Sequence, residues 1–113
     1  MLTVPENVRI YLAVGATDMR KSFDTLAALV RDVIREDPRS GHLFVFCNGR
    51  RDRLKILLWE SSGYWLFAKR LERGTFAWPA GPGNRASLSA AELAGLLGGL
   101  DLRQARQRRW YGR

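Results

Sequence analysis

The sequence is poor in the residues that build cross-linked or metal-held cores. Its one cysteine, Cys47, excludes an internal disulfide, and with a single histidine, His42, it falls short of the roughly four Cys or His ligands of a structural zinc site. His42 and Cys47 lie five residues apart on one extended run. They therefore point to opposite faces and do not form a nucleophile pair, and Cys47 reads as a small buried thiol. No apolar run approaches the roughly 20 residues of a membrane-spanning helix. The N-terminal residues, Met1 to Glu6, lack a basic stretch followed by an apolar one, so no secretory leader is expected. These absences together read as a cytoplasmic protein without membrane attachment.

Motifs of catalysis are missing as well. There is no G-x-S-x-G elbow and no P-loop; Gly81-Pro82-Gly83 has no Lys-Ser or Lys-Thr after it and reads as linker. Asp18, Asp24, Asp52, Glu60 and Glu72 are the carboxylates available to a divalent metal. Asp52, between Arg51 and Arg53, reads as locally ion-paired, and a carboxylate triad of the nuclease kind needs a larger sheet than this chain can supply. The expectation is a protein that is not an enzyme and has no cofactor and no metal site.

Acid is the other scarcity. Nineteen Lys and Arg face eleven Asp and Glu, a net charge of +8. The excess is uneven: residues 1–46 are balanced, while 47–79 and 80–113 each carry +4. A polyanionic partner, nucleic acid first, is the natural reading. Arginine outnumbers lysine sixteen to three; the competing explanation is arginine use set by genome composition rather than by a ligand.

A chain of 113 residues supports one domain. From 8 to 14 the pattern alternates, with Val8, Ile10, Leu12 and Val14 on one side and Arg9, Tyr11 and Ala13 on the other, which predicts a strand with one buried face. Phe23, Leu26, Ala27, Val30, Val33 and Ile34 form a helical stripe, predicting a helix over 22–36 that Pro38 stops. His42 to Cys47 and Leu54 to Trp59 read as strands around the hairpin signal Asn48-Gly49. Arg50-Arg51-Asp52-Arg53 lies between them, so either the turn is long or the second strand begins inside the basic run. After a turn at Glu60-Ser61-Ser62-Gly63, the run 64–71 reads as another strand, and 75–78 as a short extended piece. Residues 80–86 read as a linker. Ser89 and Glu92 form a capping-box pattern that predicts a helix over 89–100 with Leu93, Leu96, Leu97 and Leu100 on its apolar stripe. The expected fold is α+β: a small, mainly antiparallel sheet (a meander that the first strand can join), one amphipathic helix on a face and a second helix at the C-terminal end. The expected domain is 1–101, followed by a basic tail, 102–113.

The basic clusters are the main functional signal. Arg50, Arg51, Arg53 and Lys55 sit at a hairpin turn, and Lys69, Arg70 and Arg73 at the end of the next run. Paired as a meander, the two groups can share one surface suited to phosphate. The plainer reading is a solvated turn plus charges that guard a sheet edge. Tyr11, Trp59, Tyr64, Trp65, Phe67, Phe76 and Trp78 are able to stack on bases, although a domain of this size needs most of them in its core.

Four ordered segments resemble one known family: Thr17 to Asp24 followed by Leu26 to Val30; Asp37 to Phe46 with Asn48; Arg50 to Leu57 with Trp59; and Lys69 to Pro79. They are similar to the small accessory protein of the IS-sixty-six class of bacterial insertion sequences, often called TnpB or the second open reading frame. Ser22, Cys47 and Gly49 depart from the family pattern at turns, and the tail after Leu102 lies outside the resemblance. The resemblance implies a role in transposition beside a larger transposase, and it carries over no active-site residues. The resulting expectation is a non-catalytic accessory factor that binds DNA, the transposase or both. The alternatives are a protein–protein adaptor without DNA affinity and a small metal-dependent nuclease using Asp18 or Asp52. The sequence leaves the oligomeric state open.

Overall fold

The computed structural model describes residues 4–98. The tail 102–113 and the end of the second expected helix lie outside them. Five strands form one sheet in the order β4-β3-β2-β1-β5. They are β1 (Ile10–Ala13), β2 (Leu43–Cys47), β3 (Arg53–Glu60), β4 (Gly63–Arg70) and β5 (Arg85–Leu88), with helices α1 (Phe23–Leu29) and α2 (Ala90–Leu97). The fold is α+β, and the sheet is mostly antiparallel. β2, β3 and β4 make the meander, and β5 runs antiparallel to β1. The exception is β1–β2, which is parallel. A parallel neighbour needs a long crossover, and α1 supplies it.

Helix α1 starts at Ser22, whose amide donates to Thr25 Oγ1 at 2.9 Å. Its last turn, Val30–Ile34, widens to π geometry. The chain leaves it at Arg35, which adopts a left-handed φ of 66° and donates its amide to Val30 O. The helix thus ends through a left-handed cap three residues before Pro38. Ser89 caps α2 by accepting from the Glu92 amide at 3.0 Å, while Glu92 Oε1 accepts from the Ser89 amide at 2.8 Å.

Both faces of the sheet are covered. On one side Leu26, Val30 and Ile34 of α1 pack on Tyr11, Ala13, Phe44, Phe46 and Leu57. On the other, Leu93 and Leu96 of α2, together with Phe76, pack on Ile10, Leu12, Leu43, Val45, Cys47, Leu54 and Ile56. β1 and β2 are therefore buried through every residue. This corrects the expectation of one buried face for the first strand, which holds only when a single layer covers a sheet. Three further expectations change. The 80–86 segment read as linker ends in β5, where Ala86 and Arg85 pair with Leu12 and Ala13. The 75–78 piece is not a strand; it crosses the sheet end, burying Phe76 and donating from Trp78 Nε1 to Ala13 O at 3.1 Å. Phe23 lies at the helix start, 44% exposed, outside the stripe that meets the sheet.

Candidate nucleic-acid interface

The β2–β3 connection is built on Asn48. Its Oδ1 accepts from the amides of Asp52 and Arg53 at 3.1 and 3.0 Å, and its Nδ2 donates to Asp52 Oδ1 at 2.7 Å. Its backbone closes the loop in both directions, accepting from the Arg51 amide and donating to Arg53 O. Arg51 takes a left-handed φ of 61° to make the bend. The chain after β4 seals this turn from the side, with the Leu71 amide donating to Asp52 O and the Phe76 amide to Arg51 O. Asp52 is thus held by an amide side chain. Among the described residues no ion pair joins it to Arg51 or Arg53, contrary to the expectation from its sequence neighbours.

The seven candidate bases divide into two groups. Arg51 turns inward. Its Nη2 donates to Val14 O at 3.4 Å, its guanidinium lies 5.5 Å from the Trp78 ring centre, and its buried Nη1 has no hydrogen-bond partner among the described residues. Burial pushes the neighbouring Cys47 thiol up from its ordinary pKa, against the opposing pull of hydrogen bonding from the Arg51 guanidinium and of its charge. Lys55 Nζ donates to the carbonyls of Met19 and Lys21, both at 2.8 Å, and so ties the segment leading into α1 to β3. Lys69 Nζ donates to Leu97 O at the C-terminal end of α2, where helix carbonyls otherwise lack partners. The charges of Arg51, Lys55 and Lys69 are used within the fold. No local pattern signals this, because their acceptors lie 37, 36 and 34, and 28 residues away in the chain.

Arg50, Arg53, Arg70 and Arg73 remain exposed. The strand register brings the two basic clusters together: Arg53 stands directly opposite Arg70 across β3 and β4. Residues in that relation share a face, and like charges there are mutually destabilising. Among the described residues one acid pairs with them, Glu72, whose Oε2 accepts from Arg70 Nε at 2.9 Å in an exposed pair. A shallow depression of about 430 Å³ lies here, lined by Met19, Arg53, Lys55, Lys69, Arg70 and Glu72 among others. The Lys55 tether places Met19 and Lys21 beside this surface, so the Arg20-Lys21 pair also belongs to its surroundings. Their signal was already in the sequence, inside the first segment of the family resemblance. Asp18 binds Arg20 through both carboxylate oxygens, and the guanidinium hydrogen bonds hold its carboxyl pKa at about 2, well below 3.8. Among the described residues no three His, Cys, Asp or Glu side chains gather as a metal site would require.

A family profile described as IS66 Orf2 like protein matches residues 8–107, nearly the whole chain. The chain belongs to the IS66 Orf2-like family. It is thereby an accessory protein of IS66-class insertion sequences, as the four sequence segments implied. Two relatives come from Sinorhizobium fredii (strain NBRC 101917 / NGR234). The uncharacterized protein y4hO is 41% identical over 107 residues, covering 95% of this chain and 93% of the relative. The uncharacterized protein y4jC is 36% identical over 101 residues, covering 89% and 86%. No solved structure matches. No helix among the described residues of this IS66 Orf2-like protein is long and apolar enough to cross a membrane.

Proposed function

We propose that this IS66 Orf2-like protein is a non-catalytic accessory factor of transposition that binds duplex DNA through the exposed arginines Arg50, Arg53, Arg70 and Arg73. The observation that carries this reading is the Arg53–Arg70 juxtaposition. Folding alone gains nothing from two guanidinium groups set opposite each other on one face, whereas phosphates spaced along a backbone neutralise both. The guanidinium fork suits phosphate oxygens, and the rigid turn around Asn48 fixes where Arg50 and Arg53 start. Arg51, Lys55 and Lys69 act as supports: they hold the 71–78 segment, the approach to α1 and the end of α2 around that surface.

The test is equilibrium binding of the full chain to duplex DNA over a range of salt concentrations. Four phosphate contacts give a slope of log K against log salt of about −3 to −4 from this surface. Replacing all four arginines with glutamine should flatten the slope by that amount while the far-UV spectrum and cooperative melting persist. An unchanged slope in the folded variant would contradict the assignment. No affinity for DNA at low salt, together with co-purification with the transposase of the same element, would replace it with an adaptor role.

A further inference from the structure

The two edges of the sheet are unlike. β5 is four residues long and carries Arg85, which is engaged with Glu36. It is short and charged, as protected edges are. β4 is eight residues long and pairs with β3 without interruption, so no bulge twists its edge away. Its centre, Tyr64-Trp65-Leu66-Phe67-Ala68, has no charge and no proline. Trp65 is 55% exposed and Phe67 38%, and their rings lie near parallel with centres 6.2 Å apart. An apolar depression of about 440 Å³ adjoins them, lined by Val4, Val8, Leu43 and Leu58 among others.

We propose that β4 is the dimerisation edge of this protein: two copies pair antiparallel along it, joining their sheets. The backbone fixes which residues can meet. Ser61 and Ser62 form a two-residue turn closed by the Glu60–Gly63 pair. In such a hairpin the closing pair and every second residue after it bond to the partner strand. Gly63, Trp65, Phe67 and Lys69 therefore bond toward β3, while Tyr64, Leu66, Ala68 and Arg70 present their amides and carbonyls outward. A second β4 must meet this edge with its own outward residues. Among registers that satisfy this, the one with Leu66 on the two-fold axis is the most complementary. It places Trp65 opposite Phe67 of the second copy, twice, on the face where α2 packs. Large Tyr64 meets small Ala68. Lys69 falls opposite Gly63 and Arg70 opposite Ser62, beside the hairpin that carries Glu60, so no base faces a base. Moving the axis one residue toward the C-terminal end, to Phe67, loses both matches and sets Trp65 opposite Lys69 and Tyr64 opposite Arg70.

Sedimentation equilibrium of the full chain, from low to high micromolar concentration, tests this. The weight-average mass should rise to twice that of one chain. Ala68→Pro removes an outward donor that the β3 ladder does not use, so the fold should persist while dimerisation weakens at least tenfold. Trp65→Lys, at a side chain that is already exposed, should do the same and serves where the proline variant unfolds. Hydrogen exchange should show the Tyr64, Leu66 and Ala68 amides protected in the concentrated sample and fast in the dilute one. A wild type that is monomeric throughout overturns the proposal, as does a dimer that the folded variants leave unchanged. A monomer in which those three amides are protected also overturns it.

Discussion

Replacing Asn48 with alanine removes three strong hydrogen bonds at once, two accepted by Oδ1 from the Asp52 and Arg53 amides and one donated by Nδ2 to Asp52, and a weak one that Oδ1 accepts from Cys47 Sγ at 3.9 Å. Each such bond contributes about 1 kcal/mol net, and water can re-satisfy part of this half-buried loop. The expected loss is therefore about 2–3 kcal/mol, read as a lower urea midpoint at constant m. A second pair of variants isolates the side-chain pairing. Asn48→Asp keeps the two accepted bonds but sets a carboxylate against Asp52. Adding Asp52→Asn restores a donor facing an acceptor, with the polarity reversed, so the double variant should regain most of what Asn48→Asp loses, with a coupling of about 1 kcal/mol or more. If Asn48→Ala costs less than about 0.5 kcal/mol, the level of an ordinary surface change, the turn is not organised by this side chain. A double variant no better than Asn48→Asp would lead to the same conclusion. Arg50 and Arg53 would then no longer start from a fixed turn.

Leu26, wholly buried between α1 and the sheet, should cost about 2–5 kcal/mol when cut to alanine; a near-neutral thermal shift would remove the helix-on-sheet packing. Arg35→Gly should raise the melting temperature, because glycine escapes the roughly 1–2 kcal/mol that a left-handed conformation costs other residues, and a lower melting temperature would show that the Arg35 side chain matters more than its backbone. Arg53→Gln with Arg70→Gln should stabilise the protein by about 0.2–1 kcal/mol in urea unfolding at low salt, since it relieves a like-charge pair; destabilisation would mean that the two groups are not in conflict. The Asp18 carboxyl, followed by NMR, should titrate at about 2 rather than 3.8. Because its folded value is depressed, the pairing is fully present above 3.8 and lost as pH falls through about 2, and Arg20→Gln should return the midpoint toward 3.8.

The meander was legible because aromatic and β-branched runs alternate with Ser, Gly and Asn turns, and both helices because of their stripes and caps. β5 was not. Arg85-Ala86-Ser87-Leu88 has no β-branched residue and follows Gly81-Pro82-Gly83-Asn84, so local preference points to loop. It becomes a strand because the free edge of β1 accepts it, with the Val14 amide also donating to Asn84 O. The parallel pairing of β1 with β2 was equally hidden, since alternation in a strand does not reveal its neighbour's direction. Phe23 shows the limit of the helical stripe: spacing places a residue on a face, but not within reach of the sheet. At the candidate interface, charge density identified the segments. It could not separate Arg50 from Arg51, adjacent residues of one type, one exposed and one turned under Trp78 by its left-handed backbone.

Whether DNA meets the surface formed by the β2–β3 turn and the end of β4 can be read residue by residue in an amide chemical-shift titration. The isotope-labelled full chain is titrated with a short duplex at low salt. The largest shifts should fall on residues 49–53 and 69–74 and on the Arg20-Lys21 segment beside them, while α2 and β5 move little, and added salt should reverse them. Saturable shifts centred on α2 or β5, or none in the basic segments at a duplex concentration that saturates binding, would contradict a DNA-binding role for this surface.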